Sequence, residues 1–178
     1  MEELLNQEQV KRALDDLYQA VANHLPTGAP LAIIGIRTRG EILAQRLADR
    51  LAGRFGKIER GVLDITFYRD DLARRKGAPL VRATEIDFDL DDKLVLLVDD
   101  VLQTGRSVRA AMDAIMDFGR PRAIRLAVLI DRGARELPIA ADFVGCRLEV
   151  SDDLHVQVNL AEQDGKDAVY LIKGKRHS

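Results

Sequence analysis

Cysteine is almost absent from this chain of 178 residues: Cys146 is the only one, so no disulfide can form within the chain. The three histidines, His24, His155 and His177, do not give a zinc-ligand spacing with that cysteine. A chain without disulfides or a zinc motif is typical of a reducing compartment. We therefore expect the protein in the cytoplasm.

Long apolar runs and a strong net charge are also missing. No stretch of the sequence reaches the length of a membrane span, and Met1-Glu2-Glu3 lacks the basic start and apolar run of an export signal. We therefore expect no membrane partner. The formal net charge of -2 gives no overall attraction for nucleic acid, so RNA binding would require a local basic face.

What the sequence does contain is an alternation of helical and strand patterns. Apolar residues recur every three or four positions after Asn6, which with Gln9 can cap a first helix, and similar periods start at Glu41 and near Val108. The apolar runs 31–36 and 94–98 are typical of buried strands, and 123–130 predicts a further strand. The alternation predicts an α/β fold with a mostly parallel sheet and ligands beyond the carboxyl ends of its strands.

Other segments are less regular. Residues 61–68 predict one more strand, and Gly53 and Gly56 are expected to end the second helix. Shorter strands are expected near 142–145, 156–160 and 168–172. Residues 69–82 show no apolar period and contain five basic residues against two acids, so this segment is predicted to be a flexible loop that closes over a site.

The strongest chemical signal is the run Asp99-Asp100-Val101-Leu102-Gln103-Thr104-Gly105-Arg106-Ser107, which joins a strand to a helix. Backbone N–H groups at a helix N-terminus, together with the two hydroxyl side chains of this run, suit a phosphate. Adjacent carboxylates would repel a phosphate but can accept hydrogen bonds from neighbouring ribose hydroxyls. The run therefore indicates a site for a 5-phosphoribosyl group.

Four segments of the chain, in order, resemble the family of bifunctional pyrimidine-operon regulators and uracil phosphoribosyltransferases, which are type I phosphoribosyltransferases. These segments are 36–40, 64–72, 98–109 and 131–138. The resemblance implies one phosphoribosyltransferase domain over 1–178, with helices on both faces of the sheet and a small hood. It places the hood and a late edge strand in 134–160, and it suggests a homo-oligomer.

The resemblance also implies roles for individual residues. The run from Asp99 to Ser107 would bind the ribose and 5-phosphate of phosphoribosyl pyrophosphate (PRPP), with Asp99, Asp100, Arg39 and Arg69 as the catalytic residues. The residues implied for pyrophosphate are Arg37, Thr38, Arg39 and Gly40, and those implied near the base are Arg132 and Val156. Mg²⁺ would arrive with PRPP and take no ligand directly from the protein.

The expected reaction is therefore that of a uracil phosphoribosyltransferase, which makes UMP and pyrophosphate from uracil and PRPP in pyrimidine salvage. Two alternatives stay open at this point. The protein could instead be a UMP-sensing, RNA-binding attenuator of pyrimidine biosynthesis genes, or its base could be another one, such as hypoxanthine.

The residues on the surface that the family uses for RNA weaken the attenuator alternative. They are Asp15, Asp16, Gln19, Ala134, Ala140, Glu149, Asp152 and Asp153, where basic or hydroxyl-bearing residues are expected. Only Arg135 keeps a favourable charge there. Because affinity for RNA comes largely from neutralising phosphates, we expect RNA binding to be lost or greatly weakened.

Overall fold

A parallel sheet of five strands forms the centre of the computed structural model, which describes residues 1–70 and 83–173. The elements are β1 (Glu2–Leu5), α1 (Gln7–His24), β2 (Leu31–Ile36), α2 (Arg39–Phe55), β3 (Ile58–Leu63), β4 (Leu94–Leu102), α3 (Arg106–Met116), β5 (Ala123–Asp131), β6 (Phe143–Arg147), β7 (Leu154–Asn159), α4 (Ala161–Asp164) and β8 (Ala168–Lys173). The order across the large sheet is β3-β2-β4-β5-β6, and every pairing in it is parallel. The predicted α/β class is confirmed.

Helices cover both faces of the large sheet. Leu96 of β4 packs in a core that includes Leu17 of α1 and Leu47 of α2. Its neighbour Leu97 points the other way, into a core that includes Ile115 of α3. Because successive residues of a strand face opposite sides, a stretch of strand buried on both faces is apolar at every position, as residues 94–98 of β4 are. Within the described residues, no helix combines the length and the hydropathy that crossing a bilayer requires.

The first helix starts where the sequence predicts. The Asn6 side chain accepts a hydrogen bond from the Gln9 backbone N–H at 3.0 Å, and the Gln9 side chain accepts one from the Asn6 N–H at 2.9 Å. This reciprocal cap satisfies two N–H groups that have no partner inside the helix. Val10, Leu17 and Val21 then form the buried stripe along α1.

Several predicted boundaries are wrong. The strand predicted over 61–68 begins at Ile58 and ends at Leu63, because the Asp64 carboxylate accepts a hydrogen bond from the Thr66 N–H at 2.8 Å and turns the chain into a short 3-10 helix. The second helix continues through Gly53 and ends at Phe55, before Gly56 at φ +67°. Most of the predicted loop, 71–82, lies outside the described residues, so its flexibility stays a prediction.

A second, antiparallel sheet has the order β1-β8-β7 and lies beside the carboxyl ends of the large sheet's strands. The sequence patterns did not predict β1, which is only four residues long and has no buried residue. The segment 134–160 contributes β6 to the large sheet and β7 to the small one. The short helix α4 connects β7 to β8 and is therefore attached to the small sheet at both ends.

Candidate active site

The ends of β2 and β4 meet at one edge of the large sheet and bring two of the predicted site segments together. β2 and β4 are hydrogen-bonded neighbours, with Gly35 opposite Val98. A Cβ on Gly40 would lie 2.6 Å from the Val98 carbonyl oxygen, so only a glycine permits this close packing of α2 on β4. The segment Arg37–Gly40 is thereby fixed next to Asp99 and Asp100.

Two adjoining cavities open at this edge. The first, of about 380 Å³, is lined by Arg69, Asp70, Asp99, Val156 and residues 101–108. The second, of about 300 Å³, is lined by Ile36, Arg37, Asp64, Ile65, Thr66, Arg69, Asp99, Asp100, Val101 and Ser107. Four residues, Arg69, Asp99, Val101 and Ser107, line both. The geometry is that of one elongated site with Asp99 where its two halves meet.

The wall of the larger cavity is the N-terminal end of α3. Gly105 stands just before this helix at φ +91°, a left-handed conformation that favours glycine, and the Thr104 hydroxyl accepts a hydrogen bond from the Arg106 N–H at 3.2 Å. The first turn of α3 contains no acidic residue. The N–H groups and partial positive charge at the start of α3 therefore face the cavity with no carboxylate on the helix turn itself, which favours an anion.

The carboxylate pair belongs to β4 itself and not to the loop after it. The sequence predicted a strand ending at Val98, but β4 runs to Leu102, with Asp99 opposite Val128 and Leu102 opposite Asp131 of β5. Because the strand continues, both carboxylates are held on a rigid element. The Asp100 N–H donates to the Asp99 carboxylate at 2.9 Å, and the Val101 N–H donates to the Asp100 carboxylate at 2.9 Å.

Burial raises the pKa of both carboxyl groups. Asp99 is 7% exposed, and removal from water together with the adjacent charge of Asp100 holds its pKa well above the ordinary value. The pKa of Asp100 is also raised by burial, against the opposing effect of the backbone N–H donors and of the Arg39 charge. Two adjacent buried carboxylates favour binding of any ligand that supplies hydroxyl donors or a cation.

The basic residues predicted for the site take different positions. Arg69 lines both cavities and its guanidinium lies 3.4 Å from the Ser107 hydroxyl. Arg37 lines the smaller cavity and donates to Glu85 at 2.8 Å. Arg39 lines neither cavity and donates to Asp164 of α4 at 3.0 Å. Thr38, whose peptide bond to Arg37 is cis, precedes α2 without a side-chain cap.

The two residues predicted near the base also differ. Val156 lines the larger cavity, opposite the start of α3. Arg132 is 2% exposed and lines neither cavity; it donates to the carbonyls of Leu154 at 2.6 Å, Ser151 at 3.2 Å and Val150 at 3.3 Å. The Arg132 guanidinium is therefore occupied by the segment that leads into β7, and the position of the base near this residue stays a prediction.

Sequence reasoning missed several residues of the site. Asp64 and Thr66 line the smaller cavity, where the Thr66 side chain also donates to the Asp64 carboxylate at 2.5 Å. The signal that could have found them is an Asp-x-Thr pattern directly after a strand, which is typical of a tight turn. Glu85 and Asp164, the partners of Arg37 and Arg39, gave no signal, because they come from distant parts of the chain.

Comparisons with known proteins agree with this geometry. The family model described as a phosphoribosyl transferase domain matches residues 1–163. The chain is 50% identical to the bifunctional protein PyrR of Deinococcus radiodurans, over 95% of this chain and 93% of the relative, and 48% identical to that of Alkaliphilus metalliredigens, over 97% and 95%. The solved hypoxanthine phosphoribosyltransferase of Trypanosoma cruzi has a similar fold, with a TM-score of 0.68 at 16% identity over 98% of each chain.

Proposed function

This chain belongs to the phosphoribosyl transferase domain family, and within it to the bifunctional PyrR proteins, and on that premise we propose that it makes UMP and pyrophosphate from uracil and PRPP. The observation that carries the proposal is the position of Asp99 and Asp100. They stand on a rigid strand between an anion-binding helix terminus and an arginine-lined cavity. PRPP offers two hydroxyls between two phosphate groups, in the same order.

The residues of the site act mainly by position and charge. The N–H groups at the start of α3, with Thr104 and Ser107, bind the 5-phosphate, and Asp99 and Asp100 accept hydrogen bonds from the ribose hydroxyls. A uracil nitrogen then displaces pyrophosphate at C1 of the ribose, through a transition state with positive charge on the sugar and negative charge on the leaving group. The buried carboxylates stabilise the first charge, and Arg37, with Arg69, stabilises the second.

Magnesium fits the donors of this site. Asp99 and Asp100 would hold the ion from nearby through water, and phosphate and hydroxyl oxygens of PRPP, the ligand type that Mg²⁺ prefers, would supply its direct ligands. When bound, the ion neutralises charge that develops on the departing pyrophosphate. In this proposal the ion enters with PRPP.

The choice of uracil rests on membership of the PyrR family. Fold similarity does not select the base, because the solved structures with similar folds include hypoxanthine phosphoribosyltransferases. Val156 is the described residue of β7 that lines the larger cavity, and in this proposal it contacts the base. A few contacts of this kind decide specificity between bases, so a purine remains the alternative substrate.

A product assay with PRPP, Mg²⁺ and a panel of free bases tests the proposal. We expect UMP from uracil and no product from hypoxanthine or guanine. The double variant Asp99→Asn/Asp100→Asn should keep its fold and lose at least about a hundredfold of kcat/KM, the scale of losing preorganised charge. The matched control is Asp152→Asn/Asp153→Asn, which neutralises an exposed acid pair before β7. Wild-type turnover by the first variant would contradict the assigned role.

A second candidate function follows from the name of the relatives, which calls them bifunctional. An RNA-binding role would need free basic groups, and Arg135, the favourable residue on the presumed RNA face, is engaged inside the chain. Its guanidinium binds both carboxylate oxygens of Asp131, at 2.8 and 2.7 Å, and the carbonyl oxygens of Ile139, Gln103 and Gly133. We propose that RNA binding is weak in this protein.

A further inference from the structure

Helix α2 faces the small sheet with two arginines on one side. Arg39 and Arg46 are seven residues apart, which is two helical turns, so both point toward α4 and the residues after it. That segment presents three carboxylates, Glu162, Asp164 and Asp167. The contacts between these two sets are the ion pairs that join α2 to the small sheet in the described residues.

Arg46 is fully engaged. Its guanidinium makes four hydrogen bonds, to both oxygens of Glu162 at 2.9 and 2.5 Å and to both oxygens of Asp167 at 2.8 and 2.9 Å. These contacts raise the pKa of Arg46 and lower the pKa of both carboxyl groups. Bidentate contacts between a guanidinium and a carboxylate fix the relative orientation of the two groups in addition to pairing their charges. Arg46 therefore holds the segment between β7 and β8 on α2.

Arg39 is engaged far less. It makes a single hydrogen bond, from one terminal nitrogen to Asp164 at 3.0 Å, and its buried Nε has no hydrogen-bond partner among the described residues. Asp164 is itself fixed, because its second oxygen accepts the Leu160 N–H at 2.8 Å. The Arg39 charge also acts on Asp100, whose pKa it lowers. Arg39 thus lies between α4 and the carboxylates of the site, with donors to spare.

We propose that Asp164 is an internal competitor for Arg39: it holds this guanidinium on α4 in the free protein, and the pyrophosphate group displaces it. The proposal deepens the proposed function, because it rests on pyrophosphate binding beside Arg37 and Asp100. A carboxylate on a guanidinium cancels much of the charge that an anion would otherwise meet. The contact therefore weakens pyrophosphate binding and favours release of the product.

This exchange also couples the attachment of the small sheet to pyrophosphate binding in the site. Coupling between two partners of one group is reciprocal, so a pyrophosphate that takes Arg39 removes one of the contacts that hold α4. Arg46 keeps the segment attached throughout. Asp164 is in this sense a positioning residue, which acts on the reaction only through Arg39.

Calorimetry of inorganic pyrophosphate binding in the presence of Mg²⁺ tests the competition for Arg39 directly, because no nucleobase or turnover is needed. Asp164→Asn keeps an oxygen for the Leu160 N–H but loses the charge. We expect pyrophosphate to bind about fivefold more tightly, the scale of one partly exposed ion pair. The matched control is Glu162→Gln, which removes a carboxylate of the same segment from Arg46; it should lower the melting temperature and leave pyrophosphate affinity unchanged. Mere structural damage would weaken binding, so unchanged or weaker binding by Asp164→Asn overturns the proposal.

The pair of variants Arg39→Gln and Arg39→Gln/Asp164→Asn completes the test. If Asp164 acts through Arg39, the second substitution has no effect on pyrophosphate affinity once Arg39 is gone; an equal gain in both backgrounds overturns the proposal in favour of a general charge effect. A wild-type protein that binds pyrophosphate but does not convert uracil would refute the proposed function and leave this inference standing. Stronger product inhibition by pyrophosphate in Asp164→Asn is the corresponding kinetic result.

Discussion

Asp99 and Arg132 are the two charged residues that are buried in the described part of the chain, and they are buried for opposite reasons. Arg132 donates to three carbonyl oxygens and so supports the fold. Asp99 lies beside a second carboxylate, and burial raises its pKa. Its ionised form is unfavourable until a ligand brings donors or cations, which is expected of a functional group and not of a structural one.

Asp99→Asn should therefore stabilise the ligand-free protein while it impairs PRPP binding. Because the pKa of Asp99 is higher in the folded than in the unfolded chain, its contribution to stability is lost as the pH rises through the folded pKa. We expect the variant to melt about 3 °C or more above wild type at pH 8, and no higher at pH 4. Thermal unfolding across this pH range is the measurement, with exposed Asp152→Asn as the control. A lower melting temperature at pH 8 would argue against a buried, unfavourable charge.

Arg132→Met should destabilise the protein although Arg132 lines neither cavity. The substitution leaves the carbonyls of Val150, Ser151 and Leu154 without their donor, and we expect a loss of about 2–4 kcal/mol in the free energy of unfolding. Urea denaturation measures this. The exposed Arg122→Met should change stability by less than about 0.5 kcal/mol. Equal stability of the two variants would mean that the guanidinium does not support this segment.

At the scale of elements, the position of α2 on β2 and β4 decides where the pyrophosphate segment lies. A Cβ on Gly40 would be 2.6 Å from the Val98 carbonyl oxygen, whereas a Cβ on Gly53, in the same helix, would meet no atom within 4 Å. Gly40→Ala must therefore push the start of α2 away from β4. The same change at Gly53 only improves helix propensity.

Gly40→Ala should cost about 1–3 kcal/mol and raise the KM for PRPP. Gly53→Ala should stabilise the protein by about 0.5–1 kcal/mol and leave that KM unchanged. Chemical denaturation and steady-state kinetics on the two variants provide the comparison. If both alanines behave alike, close packing at Gly40 has no part in placing the site.

The order of the main helices and strands could be predicted from sequence because burial leaves a periodic trace. β2 and the central parts of β4 and β5, residues 94–98 and 126–130, are apolar on both faces, and α1 has a capping pair and a buried stripe. The end of β3 could not, because a side-chain hydrogen bond from Thr66 to Asp64 ends it, and apolar Ile65 and Phe67 hide that turn. β1 has too few residues, all on the surface or half-buried, to leave any period.

For the molecule as a whole, the acidic side chains on the presumed RNA face predict weak RNA binding. On α1, Asp15 forms an ion pair with Arg50 at 2.8 Å, so the charge of this arginine is already partly neutralised within the protein. We expect no leader-specific binding of pyrimidine-operon RNA at physiological salt, in filter binding with an unrelated RNA as control. Asp152→Lys/Asp153→Lys should add only unspecific binding that salt abolishes. Tight, specific binding that UMP enhances would restore the regulatory function.

The site could be predicted from sequence only where it is contiguous. The run from Asp99 to Ser107 is one such stretch, and the structure places most of it around one cavity. The partners of Arg37 and Arg39 come from Glu85 and Asp164, which the chain brings in from 48 and 125 positions away. Glu85 lies beside β3 and Asp164 lies between β7 and β8, so both pairings depend on the tertiary fold, and a single sequence holds no local trace of them.

The pairing of β1 with β8 has a consequence for how the protein is made. Glu2 lies opposite Leu171, so β1 cannot pair until β8 has been synthesised, about 170 residues later in the chain. The five strands of the large sheet come from residues 31–147 and can assemble earlier on the nascent chain. Closing a loop of this length is slow relative to local contacts. The small sheet, and with it Val156 and the partners of Arg39 and Arg46, is therefore completed after the large one, and a newly synthesised molecule acquires a finished active site only once β8 has been made.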